Sequence, residues 1–484
     1  MLKVAPDNRT RFWLYGLALA LGAMACWASL KGFHFVFLVP IVLSIALFAV
    51  YRTEKFILLA GALAPLSINI NDIGGGFGLA LPTEPLIIFI FGLLIFRFFQ
   101  IGIVRKEILL HPLSLAILCY IGWLWLSSIF SSMPWVSFKF SIARTWYLVV
   151  FYFALIRIFR NPSNIHFFLK AFVVFTLALV IFTLVNHAAD GFVRSSSYSV
   201  SWPFFPDHGM YAAAIAFAVP PLAFYAFNGR VFRHTWSWLP IAGFFLLILL
   251  FGIVVSYTRA TWLSLIAAIG VFVLLKMRVK FSWIMIGLFL VTVVAIAKQD
   301  DLFYSLEANK QGSSDELEGH VKSVSNITTD PSNLERINRW KCASRMVAQR
   351  PFFGFGPGTF VFQYAPFQKS SELTIISTNS GDLGDAHSEY FSSLAETGFI
   401  GFGLWLSVVL ISLATAFRVI YSEPKRHVKI TMYMAVLGLV TYYFHALLNN
   451  YSQYDKIAVP MWGFMAIIVA LDLYSRKQNA AVNS

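Results

Sequence analysis

The sequence predicts an all-α polytopic membrane protein of about 12–14 transmembrane helices, interrupted by one large polar loop with short helices of its own. Three observations lead there. Of 484 residues, 58% are hydrophobic and only 12% are charged, a balance at which a soluble domain would expose large apolar patches. The apolar residues fall in runs of about 20, the length that crosses a hydrocarbon core. Lys and Arg recur at alternate connections between those runs.

The N-terminus sets Lys3, Arg9 and Arg11 before the apolar stretch from Phe12 to Leu30. That is the charge order of a signal peptide. The stretch is long, however, no small-residue cleavage site follows, and more spans come after it, so it reads as a retained first helix. Further spans are expected near 33–51, 55–71, 84–104, 113–131, 141–160, 164–187, 209–228, 237–257, 259–276 and 281–297. They complete an N-terminal bundle of about 11 spans over residues 1–297. The first two stretches could instead form a re-entrant pair. A polar loop occupies 298–389, and about three more spans, near 390–421, 427–448 and 458–475, fill 390–484.

One set of connections carries Arg52 and Lys55, Arg105 and Lys106, Arg157 and Arg160, Arg230 and Arg233, Lys276, Arg278 and Lys280, Arg418, Lys425 and Arg426, and Arg476 and Lys477. Outside the long loop, the other set has only scattered Lys31, Lys139, Arg144, Arg194, Arg259 and Lys456. The asymmetry predicts cytoplasmic termini and an external loop at 298–389, which in a bacterial inner membrane faces the periplasm. The net charge of +14 thus reflects loop lysines and arginines and argues against nucleic acid as a partner.

Charged residues and His within the apolar stretches gather toward their ends, among them Glu84, Arg144, Arg259 and His445. A transporter places such groups near the bilayer midplane, so this distribution points to a site at the outer surface. Cys26, Cys119 and Cys342 lie far apart, with no C-x-x-C and no His at ligand spacing, and support neither a metal site nor a disulfide framework.

The loop changes character along its length. It is acidic from Asp300 to Glu335, then holds six basic residues and no acid from Arg336 to Lys369. Ser332-Asn-Leu-Glu335 after Pro331 matches a capping box, predicting a helix over 333–349 that Pro351 stops. It is too charged to insert and should lie over an outward-facing cavity. Arg336 and Arg339 are three apart and share a face. Each could snorkel to lipid phosphates, but two on one face, with Arg259 opening an upstream span, favour a bidentate grip on a diphosphate. Gly354-Phe-Gly-Pro-Gly358 fits no nucleotide-binding loop and reads as a tight turn that packs Phe352, Phe353 and Phe355. In Asp385-Ala-His-Ser-Glu-Tyr390, at the mouth of a span, His387 is either a satisfied structural residue or a base for an acceptor hydroxyl, its ring held by Asp385 or Glu389.

At three places the chain resembles the O-antigen ligase and polymerase superfamily: Ser256-Tyr-Thr-Arg259-Ala; Arg336-x-x-x-Trp340 running into Pro351-Phe-Phe-Gly-Phe-Gly-Pro-Gly358; and His387-Ser-Glu-Tyr-Phe-Ser-Ser-Leu-Ala-Glu-Thr-Gly-Phe-Ile-Gly. Their order, the many spans and the large loop before the last ones match across roughly the C-terminal half. Upstream, Phe205-Pro-Asp-His-Gly-Met-Tyr211 is a looser likeness. The resemblance implies a GT-C-like membrane glycosyltransferase without cofactor or metal, using an undecaprenyl-diphosphate-linked glycan as donor and a glycan or lipid A-core as acceptor. His387 would be the catalytic His, and Arg259 and Arg336 the phosphate-binding positions. Arg339 is added from helix geometry, and Asp385 and Glu389 as catalytic neighbours. Membrane lipids surround such an enzyme, and a chain-length regulator or flippase is the kind of partner it implies. Ligase and polymerase both remain open, the span count leaning toward polymerase. The rival classes are a lipid-linked glycan flippase, which would need a basic cavity at the midplane, and an envelope scaffold, which needs no Arg–His cluster.

Overall fold

A computed structural model describes residues 38–70, 79–101, 105–232, 238–298, 331–374, 377 and 384–483, with a few isolated positions between 16 and 32. Apart from those positions, the first expected span lies outside the described residues, as does the acidic part of the loop from 299 to 330. The chain divides into two compact units, 1–57 and 58–484. The first holds α1 (Leu38–Tyr51) and the start of α2 (Thr53–Ala62).

The larger unit continues with α3 (Thr83–Ile101), α4 (Pro112–Ile129), α5 (Pro134–Ile158), α6 (Pro162–Ala189), α7 (His208–Phe227), α8 (Trp238–Val254), α9 (Arg259–Lys276) and α10 (Phe281–Ala297). After the loop come α11 (Pro331–Gln349), α12 (Glu389–Ser422), α13 (Arg426–His445) and α14 (Asp455–Asn483). Among the described residues, α4, α5, α6, α7, α9, α12 and α14 are long and apolar enough to cross a membrane, and α1, α3, α8 and α10 contain shorter apolar helices. The protein is an all-α polytopic membrane protein. Large apolar side chains left exposed, such as Ile266, Ile269, Phe289 and Val291, are what a bilayer would cover.

Local chemistry explains why the helices start near the expected places. Pro112 and Pro162 open α4 and α6, where a missing N–H costs nothing, and the side chains of His111 and Asn161 accept from the N–H groups of Leu113 and Ser163. Asp207 caps α7 by accepting from Met210 N at 2.8 Å. The bundle is centred on α13, which is buried along most of its length and packs against α7, α9, α12 and α14.

Two expected spans differ. The stretch at 55–71 is helical only to Ala62; a 3-10 turn at Ala64–Leu66 follows, and β1 (Ile68–Ile70) pairs antiparallel with β2 (Leu79–Leu81). Pro65 removes a donor there, and the buried Lys456 ammonium draws Ser67 Oγ (2.8 Å) and Asn69 Oδ1 (3.1 Å) to itself. The span at 390–421 is broken at Gly398 (φ 69°, ψ −175°).

The basic connections do meet at one end of the larger unit. Lys477 pairs with Glu107, Arg418 and Arg476 with Asp472, and Arg278 donates to Tyr421 O. At the other end, the 446–452 turn meets the start of α12, and Tyr257, just before α9, reaches Phe192 O.

Candidate active site

The loop forms a small folded layer on the bundle. Ala343, Met346 and Val347 of α11 pack with Phe355, Phe360, Tyr364, Ala386 and Ala395 in a buried apolar cluster. α11 begins at Pro331, two residues before the expected start. Glu335 does not act as the closing member of a capping box. Its carboxylate takes Arg339 Nε at 2.6 Å and Thr374 Oγ1 at 2.9 Å, and also accepts from Ser377.

Arg339 is therefore held from several sides. Its guanidinium lies 3.8 Å from the centre of the Tyr364 ring and close against Gly384, where a β-carbon would come within 2.3 Å of Nη1. The helix does set Arg336 and Arg339 three apart, yet their side chains have different surroundings. Arg336 is half-buried and donates Nε–H to Leu448 O at 3.2 Å. Both cations still bear on His387.

The 446–454 turn is the piece that sequence reasoning missed. Besides accepting from Arg336, it takes Glu389 N–H at Ala446 O and Asn449 O. Asn450 Nδ2 donates to Asp385 Oδ1 (3.2 Å) and Ser392 Oγ (3.0 Å), and Tyr451 Oη donates to Asp207 Oδ1 at 3.0 Å. Behind the turn, buried Arg144 from α5 donates to Ser452 O at 2.6 Å and Ser452 Oγ at 2.8 Å, and lies 3.8 Å from Glu389 Oε1. A cavity of about 20 Å³ lined by Arg144, Glu389, Glu396 and Asn450, room for one water, sits beside it. The available signal was the polar run Asn449-Asn-Tyr-Ser-Gln-Tyr454 between two apolar helices.

His387 takes φ 47°, a backbone conformation uncommon for a non-glycine residue and frequent at functional sites. Among the described residues its ring makes no hydrogen bond. Burial, with the Arg336 and Arg339 charges, lowers its pKa to about 4, so the imidazole is neutral at ordinary pH. The expectation that Asp385 or Glu389 steadies the ring is not met. Asp385 is engaged by Asn450 and by the N–H of Ala386, and burial lifts its carboxyl to about 7. Glu389 is turned inward to Arg144, Tyr442 and Ser452.

Arg259 opens α9 and is half-buried. Thr258 beside it donates to His208 O at 3.2 Å, and Asp207 reaches Tyr451, so α9 and α7 are tied to the same turn that anchors Arg336. The loosely familiar Phe205–Tyr211 stretch thus stands at the site.

The glycine-rich turn is a structural fastening. Gly354, Gly356 and Gly358 all adopt positive φ, and the Glu396 carboxylate accepts from Gly358 N (2.9 Å) and Phe360 N (3.0 Å). Phe353 stacks on Trp123 at 5.1 Å and Phe355 is buried, whereas Phe352 is exposed. Among the described residues no three His, Cys, Asp or Glu are grouped to hold a metal ion.

The fold defines a polytopic membrane protein, with an Arg- and His-bearing candidate site where the loop meets the bundle. Residues 244–406 match the family described as O-antigen ligase, which supports the likeness to the O-antigen ligase and polymerase superfamily. The matched family supports a ligase- or polymerase-type membrane glycosyltransferase. The match runs from α8 past the Gly398 break and contains all six candidate site residues. None of the curated proteins matches the chain.

Proposed function

We propose that this protein transfers a glycan from undecaprenyl diphosphate to a hydroxyl of an acceptor glycan at the periplasmic face of a bacterial inner membrane. The observation that carries this reading is His387: a neutral imidazole without a hydrogen-bond partner among the described residues, offered by a positive-φ turn beside Arg336. His387 takes the proton of the acceptor hydroxyl as its oxygen bonds to the anomeric carbon. The bond from that carbon to the diphosphate oxygen breaks, and its electron pair leaves on the diphosphate. A single displacement inverts the anomeric centre. Arg336 and Arg259 take up the charge that develops on the leaving group, the work a preorganised cation does best. A diphosphate already leaves readily, so the reaction asks for no divalent metal. Arg339, between Glu335 and Tyr364, acts more through its charge and by shaping the loop than by gripping phosphate.

The acceptor separates two outcomes, a growing repeat-unit chain for a polymerase and lipid A-core for a ligase. The many expected spans, even without the 55–71 stretch, lean slightly toward the polymerase. The test is conversion of undecaprenyl-diphosphate-linked glycan by purified protein in chelator, with each acceptor in turn. Product with a repeat-unit acceptor supports the reading, product only with lipid A-core makes the protein a ligase, and no product with either defeats the proposal.

A further inference from the structure

At the end of the bundle opposite His387, a cavity of about 140 Å³ opens between the turn before α4, the end of α5 and the last turns of α14. Its floor is apolar: Ile108, Ile156 and Ala470 are each no more than 5% exposed. Arg105, Arg160 and Lys477 line it together with a single carboxylate, Glu107. These three cations come from segments far apart in sequence and converge only in the folded chain. Positive charge along helix ends is expected of any membrane protein; its convergence on a recess with a greasy floor is not.

Glu107 does not cancel this charge. It lies 3.1 Å from Lys477 Nζ and 3.8 Å from Arg105 Nη1, and its hydrogen bond from Lys477, with the neighbouring arginines, keeps its carboxyl below the ordinary range. One carboxylate among three cations leaves two positive charges and fixes the direction of two of the side chains. Arg offers a planar fork to phosphate oxygens and Lys a point charge.

We propose that this cavity binds a phosphate group, supplied by the headgroup of an anionic phospholipid whose first acyl carbons rest on the Ile108–Ile156 floor. The site is separate from the transfer chemistry and does not depend on it. A basic side chain beside an anionic headgroup is worth about fivefold in affinity, so removing three should cost about 10²-fold.

The test is a thermal-shift titration of the full-length protein in neutral detergent with phosphatidylglycerol, phosphatidylcholine or inorganic phosphate. Phosphatidylglycerol should stabilise the wild type well above phosphatidylcholine, and the combined Arg105→Gln, Arg160→Gln, Lys477→Gln variant should lose that difference. Glu107→Gln, which removes the competing carboxylate, should bind phosphatidylglycerol about fivefold more tightly, a gain that misfolding cannot imitate. An equal shift with inorganic phosphate would keep the phosphate site and overturn the lipid as its source. If phosphatidylglycerol and phosphatidylcholine act alike, or if Glu107→Gln leaves binding unchanged, the proposal fails.

Discussion

Replacing Arg144 with Met tests whether the 446–454 turn is held from inside the bundle. Arg144 is 5% exposed. It makes two short hydrogen bonds to Ser452, at 2.6 and 2.8 Å, and lies 3.8 Å from the Glu389 carboxylate. Hydrogen bonds from a charged donor contribute about 1.5–3 kcal/mol each, and stranding one partner of a buried ion pair costs about 3–5 kcal/mol. These effects overlap, because Glu389 keeps Tyr442 and Ser452 as partners. A total loss of about 3–5 kcal/mol is therefore expected rather than the sum. Thermal unfolding in detergent should show it, and glycan transfer should fall with it, since the same turn anchors Arg336 and Asp385. Arg144→Met with Glu389→Gln removes the stranded charge as well and should be more stable than Arg144→Met alone. A single variant within about 1 kcal/mol of wild type, the scale of an exposed pair, would refute the reasoning. So would a double variant that loses the full sum of the two single changes.

His387→Gln keeps hydrogen-bonding capacity without useful basicity and should lower transfer by about 10²–10⁴-fold, with donor binding largely retained in a direct binding assay. A base must be deprotonated, so kcat/KM should rise with pH through a value near 4 if His387 is the base and near 7 if Asp385 is; a profile that falls with rising pH across this range would exclude both. Arg336→Lys keeps the charge but not the planar fork, and its donor affinity should drop well below wild type in a binding titration. Gly398→Ala would place a methyl 2.2 Å from Phe352 O in a backbone region that only glycine populates readily. It should destabilise the protein by more than about 3 kcal/mol on thermal unfolding.

Much of the bundle was legible because lipid-crossing helices write themselves as long apolar runs with polar ends. α9 and α10 begin and end where Arg259, Lys276, Phe281 and Ala297 suggest. The strand pair at 68–81 was not legible, since the Lys456 ammonium that engages Ser67 and Asn69 comes from nearly 400 residues away in the chain. His387 was recognisable from its polar setting at the mouth of a span, and its left-handed backbone was not, because that depends on how the 384–388 segment docks. The roles of Arg336 and Arg339 looked alike on a helical wheel. They separate because Tyr364 and Glu335 surround one and the Leu448 carbonyl meets the other. The 446–454 turn carries no motif, and its importance comes from being approached by four segments, a property of the fold rather than of local sequence.

The break at Gly398 sets a depth. An unbroken α12 of 34 residues would be about 51 Å long, against a hydrocarbon core of about 30 Å. Gly398 divides it into an apolar rod, residues 399–422, of about 36 Å, and a polar stub that begins at Glu389. The carbonyls freed by the break are taken up: Ala395 O and Glu396 O by the N–H groups of Phe355 and Gly356, and Thr397 O by Trp123 Nε1, while Phe399 N donates to Pro351 O. With these four backbone groups of the joint held by neighbouring segments, the stub is braced as a bracket. If the rod spans the bilayer, Gly398 marks its loop-side end, and on the proposed function His387, at the head of the bracket, stands on the side where a carrier's phosphates would be met. On that proposal, a carrier would not have to be lifted out of the membrane for its sugar to be reached.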